Sequence, residues 1–137
     1  MKKLKETIMV ALSLVITISL VSIVSAKSDV FTLKSGSPTE QSASIMKPGT
    51  YEDLHTSIKA SYMNSSKVAV QTDVQRKNFF GSWKTESSCT PIISKLNFAY
   101  ENNHYLTGGT EDTKAVWTIN SYGSTITARF YINSGTI

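Results

Sequence analysis

KAVWTINSYGSTITARFYI, residues 114–132, is the stretch that decides the fold class. Two runs in it alternate apolar and polar residues, Ala115, Trp117 and Ile119 first, then Ile126, Ala128, Phe130 and Ile132. Successive side chains of a strand point to opposite faces, so each run offers one face to a core and one to water. Between them lie Ser121, Tyr122, Gly123 and Ser124, where the glycine lets the backbone reverse. The expected unit is a β-hairpin whose polar side carries Thr118 and Asn120 on one arm and Thr125, Thr127, Arg129 and Tyr131 on the other. A two-stranded ribbon is marginal in water, so the rest of the chain must bring further strands over its apolar face.

Upstream, KVAVQTDVQ at residues 67–75 alternates in the same manner, with Val68, Val70, Thr72 and Val74 opposite Ala69, Gln71, Asp73 and Gln75. It follows the turn-forming Asn64, Ser65 and Ser66, which predicts a second hairpin with residues 51–63. Those residues carry two competing signals. Thr50 with Asp53 three positions on reads like a helix start, and Tyr51, Leu54, Ile58 and Tyr62 fall near one stripe. The same segment alternates Leu54, Thr56, Ile58, Ala60 and Tyr62 with His55, Ser57, Lys59 and Ser61, and its Ser and Thr content disfavours helix. A strand is expected.

Phe79, Phe80 and Trp83 surround Gly81, which suggests a short strand kinked at the glycine. After Pro91, a strand over residues 92–100 would place Ile92, Leu96, Phe98 and Tyr100 on one face, and Glu101, Asn102 and Asn103 read as the turn after it. Residues 27–35 give a weak edge strand, and the Ser- and Pro-containing residues 36–49 read as a flexible arm. The sum is an all-β chain, a small antiparallel β-sandwich or flattened barrel of about seven or eight short strands. The expected division is a signal peptide at 1–26, an edge strand and arm at 27–50, and the sandwich at 51–137.

The leader rests on Lys2, Lys3 and Lys5 ahead of an uncharged run over residues 7–25, closing in Val24, Ser25 and Ala26. That is the pattern of a secretory signal peptide. Its length approaches the ~20 residues that span a bilayer, so retention as an anchor competes, and the small Ala26 favours cleavage. The expected location is therefore outside the cell, with no stable membrane anchor once the leader is removed. Lys far outnumbers Arg and Asn and Ile are frequent, which suits a bacterial source. The leader holds three of the fourteen basic and one of the ten acidic residues, which leaves a net charge of only +2 after it. Nucleic acid is a poor partner for so scattered a charge. The lone Cys89 excludes an intramolecular disulfide.

Catalytic spacing is missing. His55, His104 and Cys89 do not have the spacing of metal ligands, no serine sits in a nucleophile elbow, and the adjacent acids Glu52–Asp53 and Glu111–Asp112 would diverge on a strand. No catalytic residue, metal or cofactor is nominated. The surface nominated for binding is the face of Thr125, Thr127, Arg129 and Tyr131, with Tyr122 at the adjoining turn, because exposed rings stack on sugars or anchor protein partners. A plain solvated sheet face is the competing interpretation. The expected function is a non-catalytic binding or interaction protein at the cell envelope or outside the cell, with a cell-wall glycan or an extracellular protein as partner. A bacteriocin- or toxin-like protein, and behind it a secreted hydrolase, are the alternatives.

Overall fold

The computed structural model describes residues 25–44, 47–109 and 112–134. Among these residues there are nine strands and no helix: β1 Ser25–Lys34, β2 Thr39–Ser44, β3 Lys47–Met63, β4 Val68–Lys77, β5 Trp83–Cys89, β6 Ile92–Ile93, β7 Ala99–Gly109, β8 Asp112–Ile119 and β9 Thr125–Ser134. The expected signal peptide lies outside the described residues except for Ser25 and Ala26, which pair with Ser134 and Asn133.

One sheet has the order β1-β9-β3-β7 and the other β2-β8-β4-β5, with β6 attached to β4. All pairings are antiparallel. The chain changes sheet between β1 and β2, β2 and β3, β3 and β4, β6 and β7, β7 and β8, and β8 and β9, and it pairs its first strand with its last. This alternation, two Greek keys folded over each other, is the jelly-roll form of the β-sandwich.

The core forms where alternation predicted it. Leu33, Leu54, Ile58, Ala60, Val68, Val70, Val74, Ala115, Trp117, Ile119, Ile126, Ala128, Phe130 and Ile132 are all buried. At its centre the Trp117 and Phe130 rings lie 5.0 Å apart, tilted by 52°, and Phe31 stacks on Phe130 at 4.2 Å. Fully burying a large apolar side chain contributes about 1.5–3 kcal/mol, which applies to Trp117 and Phe130, and the partly buried Phe31 adds less.

Both expected hairpins are corrected. β8 and β9 belong to different sheets, as do β3 and β4, so each pair is an arch across the core. Alternation shows which side of a strand is apolar, but two apolar sides can meet side by side or face to face, and the arch takes the second course. Its bend is tied by Asn64, whose side chain accepts from Thr125 N–H at 2.8 Å and donates to the Gly123 carbonyl at 2.8 Å. Gly123 itself has φ +74°, which favours glycine.

Residues 36–49, expected as an arm, contain β2, which hydrogen-bonds along β8 and buries Gln41. Six polar or small residues make a strand here because the backbone ladder with β8 holds them; the sandwich thus includes strands before residue 51. The segment after Pro91 gives only the short β6, and Asn97 adopts φ +58°, so Ile92, Leu96 and Phe98 are exposed instead of sharing a buried face. The expected turn at residues 101–103 is the interior of β7, where pairing with β3 overrides turn propensity. Residues 51–63 are strand, as expected, but a register shift between Ala60 and Tyr62 turns Tyr62 outward.

Gly81, with φ +82°, lies in the β4–β5 turn and does not kink a strand. The irregularity is at Glu86 instead. Val74 pairs with Ser87 and Gln75 with Thr85, so Glu86 is an extra residue in β5. Such a bulge reverses the alternation. Thr85 therefore reaches Gln75 on the outer side while Ser87 reaches the interior.

Candidate functional site

Three side-chain groupings could carry function: the outer face of the β1-β9-β3-β7 sheet, a polar cluster inside the sandwich, and the outer face of the second sheet.

The first holds most of the residues nominated from sequence. Pairing builds it in rungs: Thr32, Thr127 and Tyr62; then Val30, Arg129, Lys59 and Ala99; then Ser28, Tyr131, Ser57 and Glu101. Side chains directly opposite on neighbouring strands have Cβ atoms about 4.5–5.5 Å apart. Arg129 is exposed and Thr125, Thr127 and Tyr131 are half-buried, with Thr127 hydrogen-bonded to the Thr32 hydroxyl at 2.8 Å. Tyr122 is fully exposed at the bend between β8 and β9 and does not join these rungs.

Alternation in β9 was enough to find four of these residues, but their neighbours required the pairing. Tyr62 appears on this face only because of the register shift, which no sequence signal announces. Lys59 stands directly opposite Arg129, and neither has an ion-pair partner among the described residues. Like charges opposite each other on a sheet are destabilising. Tyr62 and Tyr131 flank this cationic rung, roughly 13 Å apart along β9 from the rise of a strand.

Inside the sandwich, His104 is 1% exposed. Its Nε2 lies 2.9 Å from Thr56 Oγ1 and its Nδ1 2.8 Å from Ser87 Oγ, while Cys89 Sγ is 3.9 Å from Nε2. Burial lowers the His104 pKa from its ordinary value, with the charge of His55 adding to the effect. Burial also raises that of the Cys89 thiol, and the nearby Asp73 carboxylate adds to the effect. Both directions favour neutral imidazole and neutral thiol. A nucleophilic cysteine needs the thiolate, which this environment opposes. One ring nitrogen donates and the other accepts, so two hydroxyls satisfy a neutral His104 completely. Sequence reasoning missed this cluster, although Thr56 and Thr72, polar residues on otherwise apolar strand faces, were its trace.

On the second sheet's outer face, Lys114 is nearly buried. Its ammonium donates to Glu40 Oε2 at 2.8 Å and sits 4.5 Å from the centre of the Trp83 ring, a paired charge covered by an aromatic lid. Beside it Gln71 donates to both Asp73 oxygens, Ser88 donates to Asp73, and Asn120 donates to Gln71. These groups satisfy each other. No group of three or more His, Cys, Asp or Glu able to hold a metal occurs among the described residues.

No family model matches the chain, and no curated protein matches it. Sixteen chains of solved structures do. They include a Yersinia pseudotuberculosis-derived mitogen, 8% identical, covering 82% of this chain and 86% of that one with a TM-score of 0.47. The enzymatically active domain of tailspike protein 4 from bacteriophage CBA120 is 13% identical, and the match covers 83% of this chain but 18% of that one, with a TM-score of 0.47. A family 16 carbohydrate binding module is 14% identical over 72% of this chain and 71% of that one, with a TM-score of 0.41.

Proposed function

We propose that this chain is an exported bacterial binding domain without catalytic activity, and that the outer face of its β1-β9-β3-β7 sheet takes an acidic glycan of the cell exterior. The observation that carries this reading is the unpaired cationic rung, Lys59 beside Arg129, set between the rings of Tyr62 and Tyr131. A carboxylate or phosphate on a sugar polymer would relieve the repulsion between the two cations. Tyrosine rings supply faces for the sugar, and Ser28, Ser57 and Glu101 supply hydroxyl and carboxylate partners around Tyr131. The non-catalytic reading is in keeping with the burial of His104, which leaves its ring closed to a substrate.

Calorimetric titration of the exported protein with acidic and neutral wall polysaccharides tests it. Binding should favour the acidic polymer, weaken as salt is raised because exposed charges are screened over about 10 Å at 0.1 M, and fall at least tenfold, about 1.4 kcal/mol, in Arg129→Ala and in Tyr131→Ala. Equal or absent binding to both polymer classes would overturn the assignment.

A further inference from the structure

We propose that the turn between β4 and β5 is a lipid-docking tip that seats on a bilayer bearing anionic headgroups, independently of the glycan-binding face. Phe79 is 95% and Phe80 88% exposed, two adjacent rings that meet edge to face at 5.5 Å and cover nothing else. Single exposed apolar residues are ordinary on a protein surface, but two neighbouring phenylalanines at the apex of a hairpin form a projecting apolar point.

The turn holds them there. Asn78 N–H donates to the Ser82 carbonyl at 2.8 Å, Gly81 N–H to the Asn78 carbonyl at 2.9 Å, and Ser82 N–H to Asn78 Oδ1 at 2.9 Å. Gly81 at φ +82° closes the turn in a conformation that a side-chain-bearing residue rarely adopts.

Behind the apex the chemistry changes in the order of a membrane–water boundary. The first rung pairs Lys77 with Trp83, and the next pairs Arg76 with Lys84. Trp83 is 38% exposed and its ring lies 6.0 Å from the Lys77 ammonium. Apolar rings at the apex, an amphipathic indole beside Lys77 behind them and then the exposed Lys84 match hydrocarbon, interface and anionic headgroups in turn. Of the cations flanking the turn, Lys77 and Lys84 are the ones offered to headgroups, Lys84 lying 3.5 Å from Glu86, while the Nε and Nη2 atoms of Arg76 are buried.

The pairings of β4 with β8, β8 with β2, and β3 with β7 place this turn at the end of the sandwich where β1 begins and β9 finishes. A convex apex of this kind presents no groove for a protein partner to fill, whereas a bilayer accepts a point.

The two tryptophans make the test direct. Trp117 is fully buried, so a quencher in solution or in lipid reaches Trp83 alone. The exported protein, mixed with phosphatidylcholine–phosphatidylglycerol vesicles containing brominated acyl chains, should lose Trp83 emission and gain protection from iodide. In Phe79→Ser/Phe80→Ser the partition should be at least about tenfold weaker, with unchanged circular dichroism and unchanged polysaccharide binding. Trp83 equally open to iodide with and without vesicles would overturn the proposal. Equal quenching on phosphatidylcholine alone would overturn its anionic part. Protection that grows with protein concentration in the absence of vesicles would overturn it in favour of a second copy of the chain.

Discussion

Trp117 shows what a single position does in this fold. Alternation with Ala115 and Ile119 pointed its ring inward, and it is fully buried against Phe130. Its indole N–H has no hydrogen-bond partner among the described residues, which the sequence could not reveal because that depends on what crosses from the other sheet. Trp117→Ala should therefore cost about 3–5 kcal/mol. Trp117→Phe should cost much less than that, since it keeps the ring contact and removes an unpaired buried donor whose penalty is about 1–3 kcal/mol. Denaturant midpoints of the two variants check the contrast, and equal losses would contradict it. His104 makes a second residue-scale prediction. Its folded pKa is lowered by burial from the usual value of 6.5, so at higher pH both folded and unfolded states hold a neutral ring and no penalty arises. As pH falls below about 6.5 the unfolded chain takes up the proton first, and native stability declines. Melting temperature should drop through that window in the native chain, and drop less steeply in His104→Gln.

At the scale of elements, inward and outward faces were legible in β3, β4, β8 and β9, but strand partners were not. Val68, Val70 and Val74 are buried on β4 and Ile126, Ala128 and Phe130 on β9, as their spacing requires. What spacing cannot encode is whether the following strand lies alongside or opposite. Polar β2 was invisible because its stabilisation comes from backbone hydrogen bonds to β8, which any sequence without proline can make. The faces of β5 were unreadable because one extra residue, Glu86, reverses them. Asn64 tests the arch. It bridges β3 to the bend before β9 through three hydrogen bonds, to Gly123 and to Thr125. Two of these use its side chain. Asn64→Ala should cost roughly 1–3 kcal/mol. In a β8–β9 hairpin, with β3 and β4 paired apart from it, the same change would have little effect, so a variant within about 0.5 kcal/mol of the parent would argue against the arch.

For the whole molecule, the pairing of β1 with β9 joins residues at opposite ends of the described chain, and β3 with β7 and β4 with β8 are also long-range. Such non-local pairing should make folding slow, in milliseconds to seconds; stopped-flow Trp fluorescence can measure it. The same topology separates two surfaces. The Lys59, Arg129 and Tyr131 rungs lie across one sheet, and the Phe79–Phe80 apex lies at one end of the sandwich. Of the nominated surface, Thr125, Thr127, Arg129 and Tyr131 could be read from β9 alone, while Lys59, Tyr62 and Ser57 came to it only through β3. A rung of two unpaired cations should weaken the fold as it serves binding, so Lys59→Ser should leave stability equal or slightly higher while lowering affinity for an acidic polymer. The central claim, that this sheet face is where the ligand sits, is tested most directly by amide chemical-shift mapping during titration with an acidic wall polysaccharide. The shifts should concentrate at Ser28, Ser57, Lys59, Arg129 and Tyr131. Shifts confined to residues 78–82 or 121–124, or none at saturating polymer, would contradict it.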